Sequence, residues 1–270
     1  MEVKGSALVT GASRGIGRAV AIELAARGYE VIATMRDPHA GADLPDVSNG
    51  RIRVARLDVT DPRTIEIPDD LQVLVNNAGL ESDYVPIEHT SLDDWRAMFE
   101  VNVLGVVAVT QAAIPTLKAN APAVVATVTS SSIFGIVPFF GAYRATKAAA
   151  SSLSETLRVE LAPFGIRVVE ILPGPIDTDM YQASLDPMAA EQFDDYRAMA
   201  LKSQELKAIH ADPLVEPVQR AASAIADAIA DKAGPMRYGC DPLGNGLLDI
   251  WRGSDDETMY QYTGLGFAST

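Results

Sequence analysis

A tyrosine and a lysine four positions apart are the residues of this chain best suited to acid–base chemistry. Tyr143 and Lys147 open an alanine-rich segment with a helical pattern, so both side chains should lie on one face of a helix. A free tyrosine has a pKa of about 10, too high for a base at neutral pH, and a nearby ammonium group favours the phenolate. The pair predicts a tyrosine that exchanges a proton, although the same spacing also occurs in helices for structural reasons alone.

A glycine-rich turn near the amino terminus has the composition of a phosphate-binding loop. The segment 10–17, Thr-Gly-Ala-Ser-Arg-Gly-Ile-Gly, follows a short apolar run and begins a helical pattern. Glycines permit a tight turn and close approach of a pyrophosphate, and the helix N-terminus presents free N–H groups. The spacing differs from the commoner Gly-x-Gly-x-x-Gly, so a plain strand-to-helix connection is the alternative. The residues expected at a dinucleotide are Gly11, Ser13, Arg14, Gly15, Ile16 and Gly17.

The residues that end the second apolar run indicate which dinucleotide binds. An NAD enzyme places an Asp or Glu there to hold the adenosine ribose, whereas this chain has Met35 followed by Arg36. Arg36 and Arg14 suit a ribose 2′-phosphate, which favours NADP(H). Pairing of Arg36 with Asp37, or an Arg36 turned towards solvent, would leave NAD as the alternative.

Short apolar runs alternate with longer helical patterns along the whole chain. The apolar runs cover 7–10, 31–34, 52–57, 73–75, 124–128 and 168–171, and the helical patterns cover 15–27, 92–119, 143–161 and 217–230. This alternation predicts an α/β fold, a Rossmann-type doubly wound parallel sheet in a single domain over 1–270. Ligands then bind outside the carboxyl ends of the strands. Pro62 and Pro68 argue against a full helix in 58–71, and a helical segment at about 180–215 is predicted to be a substrate lid.

Six motifs in this order make the chain resemble the short-chain dehydrogenase/reductase family over about residues 5–180. They are the 10–17 loop, Asn-Asn-Ala-Gly at 76–79, Asn102, the serines after the fifth run, the Tyr143–Lys147 pair, and Pro-Gly-x-x-x-Thr at 173–178. The resemblance implies that Tyr143 is the general acid/base and that Lys147 lowers its pKa and holds a ribose. It also implies that a serine binds the substrate oxygen and that Asn102 supports a water linked to Lys147.

The resemblance also implies a set of cofactor contacts beyond the glycine loop. Asp58 and Val59 would lie beside the adenine. Asn76, Ala78 and Gly79 would lie near the adenosine side. The loop after the sixth strand would line the nicotinamide and the phosphates through Pro173, Gly174, Ile176 and Thr178.

Three consecutive serines make the choice of the catalytic serine an open question. Ser130 is 13 residues before Tyr143, the usual interval in the family, and an ungapped reading of 127–130 gives the same choice. Ser132 remains the alternative, because it would pair with Gly135 in a Ser-x-x-Gly pattern.

The net charge and the cysteine content indicate which partners and which cellular compartment to expect. The net charge of −14 argues against nucleic acid and anionic membranes as partners, and no apolar run approaches the roughly 20 residues that span a bilayer. Cys240 is the one cysteine, and no Cys/His cluster suggests a metal site, which fits a cytoplasmic protein. The small-residue stretch 148–152, together with the resemblance, predicts a homo-oligomer, either dimer or tetramer.

The function expected from these features is hydride transfer between NADP(H) and a carbonyl or secondary alcohol. Apolar residues beside the predicted site indicate a fairly apolar small molecule: Phe134, Val137, Pro138, Phe139, Phe140, Met180 and Tyr181. The alternative from another class is a non-catalytic NADP(H)-binding sensor, because fold alone does not settle function.

Overall fold

Parallel strands form the centre of the protein. The structure is a computed structural model that describes residues 3–81 and 83–263. Within that part of the chain, seven strands form a sheet in the order β3-β2-β1-β4-β5-β6-β9, and β7 and β8 pair separately. The strands are β1 (Ser6–Thr10), β2 (Glu30–Met35), β3 (Ile52–Arg56), β4 (Leu71–Asn76), β5 (Ala123–Val128), β6 (Ile166–Leu172), β7 (Ile176–Asp177), β8 (Glu216–Pro217) and β9 (Arg237–Gly239).

Helices cover both faces of this sheet. They are α1 (Gly15–Ala26), α2 (Leu44–Val47), α3 (Leu92–Phe99), α4 (Gly105–Ala119), α5 (Gly141–Leu161), α6 (Asp179–Ala183), α7 (Asp194–His210), α8 (Val218–Ala230), α9 (Pro242–Gly253) and α10 (Asp256–Thr263). On one face Leu24 of α1 and Ile225 of α8 are buried in a cluster with Val9 of β1. On the other, Leu117 of α4 and Leu157 of α5 pack with Leu8. The predicted doubly wound α/β fold is confirmed.

The strands follow from their sequences. All residues of β1, β4 and β5 are buried, as expected for strands covered on both faces. All pairings in the sheet are parallel, so the loops that follow β1, β4, β5 and β6 leave at the same edge. The predicted ligand groove lies at this edge.

The sequence-based elements differ from the structure in two places. No strand or helix was predicted after residue 230, yet β9 pairs with β6, and α9 begins at Pro242. A three-residue strand carries too few residues to show a period. The helix predicted over 92–119 is α3 and α4 joined by a π-helical turn at Glu100–Leu104. The segment 58–71 holds one 3₁₀ turn, Pro62–Thr64, as the prolines indicated.

The combined helix Leu92–Ala119 is long and apolar enough by composition to cross a membrane, with a mean hydropathy of 1.6 over its most apolar stretch. No single apolar run in the sequence predicted an apolar helix of this length. Val109, Ala113 and Leu117 of this helix are fully buried against the sheet. A helix buried in a protein core can be as long and as apolar as one that crosses a membrane.

The predicted helical insertion is present between β7 and β8. It contains α6 and α7 and packs Met188, Ala190 and Ala200 against Tyr84 and Phe139. The Ala190 N–H donates to the Tyr84 carbonyl at 2.9 Å. The insertion is therefore seated on the loops that follow β4 and β5, and it is called the lid below.

Candidate active site and cofactor groove

The glycine loop between β1 and α1 has a backbone that only glycine adopts easily. Gly11 and Gly15 have φ values of +66° and +55°. A Cβ on Gly11 would lie 2.8 Å from the Ala78 Cα, and a Cβ on Gly17 would lie 2.3 Å from the Asn77 amide nitrogen. The loop is thus pressed against the segment after β4, and it leaves the N-terminus of α1 facing the groove.

Asn77 fastens these two loops together. Its amide nitrogen donates to the carbonyls of Thr10 and Gly11 at 3.0 and 3.2 Å. The Thr10 hydroxyl accepts from the backbone N–H groups of Asn77 and Ala78, both at 3.0 Å. Asn76, Ala78 and Gly79 were the cofactor contacts predicted in this segment, and Asn77 was not among them. The Asn76 side chain is buried and donates to Thr110 at 2.9 Å, so it anchors β4 to α4.

At the ends of β2 and β3, Arg36 follows Met35, which stands where an NAD enzyme has an acidic residue that binds the ribose. The Leu57 N–H donates to the Met35 carbonyl at 2.9 Å, which brings Arg36 beside Asp58. The Met35 side chain is buried against Gly41, so it offers no acceptor to a ribose. Arg36 is exposed, and its guanidinium makes no hydrogen bond or ion pair with the described residues.

Asp58 and Asp37 both accept hydrogen bonds from backbone. Asp58 accepts from the N–H and hydroxyl of Thr60, and these bonds, with the charge of Arg36, lower its pKa. Asp37 accepts from the His39 N–H at 3.0 Å. Within the described ranges Asp37 is not ion-paired with Arg36, which was the reservation about that arginine. Val59 packs against Gly105 of α4.

The remaining loop of the groove runs from Pro173 to Thr178. The Gly174 N–H donates to the Asp241 carboxylate at 2.6 Å, and the other oxygen of Asp241 accepts from the Gly244 N–H at 2.8 Å. Asp241 is buried and was not anticipated from sequence. Thr178 caps α6 and lies beside Gly15, where a Cβ would be 3.4 Å from its methyl group. Ile176 is buried in the core, so only its backbone can face the groove.

Arg14 is the other predicted phosphate ligand. It is exposed at the N-cap of α1, and its guanidinium lies 3.8 Å from the Asp179 carboxylate. Both side chains of this pair are more than two-thirds exposed, so the contact is weak and Arg14 can turn towards a phosphate. Ser13 and Ile16, in the same turn, are half-buried.

Tyr143, Lys147 and Ser130 meet at the end of β5. Tyr143 and Lys147 lie in the first two turns of α5, and the Lys147 ammonium is 5.6 Å from the Tyr143 ring centroid. Lys147 is buried and donates to the Val128 carbonyl at 3.1 Å. The Ser130 hydroxyl accepts from the Ser132 N–H at 3.2 Å and is close enough to the Tyr143 hydroxyl to lower its pKa. Ser132 lies elsewhere: its hydroxyl is buried without a partner in the described chain, so this geometry favours Ser130.

Burial governs the ionisation of this group. It raises the pKa of the Tyr143 hydroxyl, the charge of Glu81 raises it further, and the hydrogen bond from Ser130 lowers it. Burial lowers the pKa of Lys147 to about 8, against an opposing effect of Glu81. Lys147 was expected to lower the pKa of Tyr143, whereas the largest effect in the structure is desolvation, followed by the charge of Glu81.

Asn102 holds the loop after β4 against this group. It lies in the π-helical turn, a feature that often marks functional sites, and it is buried. Its amide oxygen accepts from the Leu80 N–H at 2.7 Å, and its amide nitrogen donates to the Leu80 carbonyl at 2.8 Å and to Thr146 at 2.9 Å. These contacts place Gly79 so that a Cβ there would be 3.5 Å from the Lys147 ammonium.

Glu81 is the residue of this site that sequence reasoning missed. It is half-buried, and its carboxylate accepts from the Tyr84 hydroxyl at 2.9 Å. Burial raises its pKa, and Tyr84 and Lys147 oppose that rise. In the sequence, only its position two residues after the Asn-Asn-Ala-Gly motif indicated that Glu81 belongs to the site.

Aromatic side chains enclose the mouth beside Tyr143. Phe140 stacks on Tyr84 with centroids 4.6 Å apart and meets Tyr143 edge-on at 6.3 Å. Phe134, expected beside the substrate, is instead buried against α9 and stacks on Trp251 at 4.7 Å. That expectation was wrong, because α9 was not predicted and it covers this part of the loop.

A nucleotide groove at a switch of strand order, beside a Ser-Tyr-Lys group, defines a dinucleotide-dependent α/β oxidoreductase. Comparison with known proteins agrees: the family model described as short chain dehydrogenase matches residues 5–189. The chain belongs to the short-chain dehydrogenase/reductase family.

Relatives and solved structures support this assignment over different parts of the chain. The oxidoreductase YusZ of Bacillus subtilis is 36% identical over 207 residues, which cover 70% of this chain and 71% of that protein. A short-chain dehydrogenase of Streptomyces avermitilis is 32% identical, with a TM-score of 0.77 and coverage of 98% and 99% of the two chains. A Burkholderia cenocepacia short-chain dehydrogenase in complex with NADP is 26% identical, with a TM-score of 0.77 and coverage of 97% and 98%.

Proposed function

We propose that the protein catalyses hydride transfer between NADP(H) and the carbonyl or secondary alcohol of a small molecule with a largely apolar surface. The observation that carries this proposal is the meeting of Ser130, Tyr143 and Lys147 at the end of β5, on the same edge of the sheet as the glycine loop. The lid and the aromatic pair Tyr84–Phe140 supply the apolar walls.

Glycines and arginines along the groove support NADP(H) as the cofactor. Gly11 to Gly17 would hold the pyrophosphate through backbone N–H groups, with Thr178 beside them. Arg36 and Arg14 would bind the 2′-phosphate, and Lys147 would contact the nicotinamide ribose. When bound, the cofactor supplies or accepts the hydride.

The protein's own groups handle the proton. Because its pKa is raised, Tyr143 holds its proton in the free protein, and a protonated hydroxyl is the form that protonates the oxygen of a carbonyl during reduction. Ser130, beside the Tyr143 hydroxyl, would donate to the same substrate oxygen. The charge of Lys147 stabilises the phenolate that remains.

Replacing the tyrosine tests this proposal. Tyr143→Phe removes one hydroxyl at a step where proton transfer contributes roughly 10²–10⁴-fold, so turnover should fall by about that factor. NADPH affinity should barely change, whereas Lys147→Ala should weaken both binding and turnover. NADPH binding by fluorescence titration and reduction across a panel of ketones would measure the two effects.

Two results would reject this assignment. Retained turnover in Tyr143→Phe would refute the proton role. Tight NADPH binding with no turnover of any carbonyl by the parent protein would favour a sensor instead.

The proposal extends to setting and assembly. We expect a cytoplasmic homo-oligomer whose partner is the small-molecule substrate, without nucleic acid or membrane. Its acidity and its single buried cysteine are consistent with that setting.

A further inference from the structure

We infer that Glu81 sets the substrate class, with its carboxylate receiving a protonated amine on a carbonyl compound whose remaining surface is apolar. The inference rests on the proposed function, because it names what that same site selects. Three features of the structure support it: the position of Glu81, the one carboxylate oxygen that has no hydrogen-bond partner among the described residues, and the apolar surfaces around the carboxylate.

The placement of Glu81 is fixed by its neighbours in the chain. Both backbone groups of Leu80 are bonded to Asn102, at 2.7 and 2.8 Å. Gly79 lies against the Lys147 ammonium. The residue that follows Leu80 therefore enters the mouth of the site at a set position, close enough for its charge to act on both Tyr143 and Lys147.

Only one of the two carboxylate oxygens of Glu81 has a partner among the described residues. Oε1 accepts from the Tyr84 hydroxyl at 2.9 Å. No ion pair links Glu81 to Lys147 among the described residues, and the ammonium donates to the Val128 carbonyl instead. A partly desolvated carboxylate with an unused oxygen gains from a cationic donor, since hydrogen bonds to charged groups are the stronger ones.

The surfaces next to this carboxylate are apolar. Tyr84 stacks on Phe140, which meets Tyr143 edge-on, and the lid seats Met188 against Tyr84. A substrate between these rings and Tyr143 has its carbonyl at the tyrosine and a further group within reach of Glu81. An anionic group at that point would meet a like charge, so the same residue excludes acidic carbonyl compounds.

Three ketones that differ only at one end test this selectivity. They are 5-(dimethylamino)pentan-2-one, 6-methylheptan-2-one and 5-oxohexanoate, with a cationic, a neutral and an anionic terminus on the same chain. With NADPH, we expect kcat/KM for the amine to exceed that for the neutral ketone by roughly 10- to 100-fold, the range of a charge-assisted hydrogen bond, with the acid lowest.

Variants assign the preference to the carboxylate. Glu81→Gln should remove most of the preference, so that kcat/KM for the amine falls to near that for the neutral ketone measured with the same variant. The matched control is Glu66→Gln, which removes the same charge from an exposed position between β3 and β4 and should leave the ratio intact.

The outcomes separate this inference from the proposed function. Reduction of all three ketones at similar efficiency, or an amine preference that survives in Glu81→Gln, would overturn the role of Glu81 and leave the reductase assignment standing. Efficient reduction of other ketones but none of these three would likewise overturn it. No turnover of any carbonyl would overturn the proposed function itself.

Discussion

Three effects set the ionisation of Tyr143, two that raise the pKa of its hydroxyl and one that lowers it. Burial and the negative charge of Glu81 raise the pKa of its hydroxyl, and the hydrogen bond from Ser130 lowers it. The first two favour the neutral phenol, which suits proton donation to a carbonyl oxygen. At the residue scale, the neutral phenol is therefore the form of Tyr143 in the free protein.

The ionisation of Lys147 gives a prediction on pH. Burial lowers its pKa to about 8, so the ammonium that stabilises a phenolate and binds ribose is lost as pH rises through that value. We expect kcat/KM for NADPH in ketone reduction to be level below this pH and to fall above it. Because this ratio reports the free enzyme, a pH profile measures the pKa directly.

Glu81→Gln provides the internal check on that profile. The carboxylate raises the pKa of Lys147, so its removal should move the alkaline limb to lower pH. Glu66→Gln should leave the limb in place. An alkaline limb that does not move in Glu81→Gln would contradict the electrostatic link between these residues.

Arg36 carries the predicted preference for NADPH over NADH. Met35 is buried and offers no ribose acceptor, whereas the Arg36 guanidinium is exposed and without a hydrogen-bond partner in the described residues. Arg36→Ala should reduce the difference between the two binding free energies by about 1–3 kcal/mol, the loss of a charge-assisted contact. Dissociation constants for both cofactors measure it.

The matched control for Arg36 is Arg53→Ala. This exposed arginine lies within β3 and not at the strand ends, so its loss should change NADPH and NADH binding equally. Equal affinity of the parent protein for the two cofactors would contradict the assignment of NADP(H).

At the scale of elements, a buried ion pair joins β6, β9 and α5. The Glu170 side chain is fully buried and accepts from Thr129 at 2.7 Å, from Ser151 at 3.0 Å and from the Arg237 guanidinium at 2.9 Å. Arg237 also pairs with Glu155 at 2.6 Å. The short strand β9 is thus held partly by its arginine.

Removing that arginine should destabilise the fold markedly. Arg237→Met leaves the Glu170 carboxylate buried without its cation, a loss that typically costs about 3–5 kcal/mol of the free energy of unfolding. Arg96→Met is the control, because its pair with Asp93 is largely exposed and should contribute little. Urea unfolding at pH 7 would measure both changes.

A double variant identifies the cause. If the buried charge is responsible, Glu170→Gln combined with Arg237→Met should recover part of the lost stability. Equal instability of the single and double variants would show that packing of Arg237 on Trp251, 4.9 Å away, is the larger effect.

At the scale of the whole molecule, α5 presents an outward face of small residues. Ala148 and Ser152 are exposed on it, and Val159 further along is 76% exposed. Small side chains let a second helix approach closely, and an uncovered apolar residue favours such a contact. This face is where we expect two copies to meet in the predicted homo-oligomer.

An arginine placed on that face should weaken the assembly. Sedimentation of the parent protein at micromolar concentration should give a mass above the 28.7 kDa of one chain, and Ala148→Arg should shift it towards that mass. Ala26→Arg is the control, since Ala26 is an exposed residue at the end of α1, on the opposite side of the sheet. A monomeric parent protein would refute the prediction.

Local patterns in the sequence determined much of the fold and part of the site. Six strands of the main sheet were predicted because buried parallel strands form short apolar runs whose character does not depend on distant residues. The glycine loop and the Tyr143–Lys147 pair were recognisable for the same reason: their geometry arises within one turn or one helix.

Tertiary structure decided what depends on contacts between distant segments. The side chain of Ser130, not that of Ser132, reaches Tyr143 because the chain turns after β5, and consecutive serines carry no sign of that turn. Phe134 faces α9, which begins more than a hundred residues later. Glu81 acts on Tyr143 and Lys147 only because Asn102 holds Leu80 in place, and such a meeting of separate loops has no local signature in the sequence.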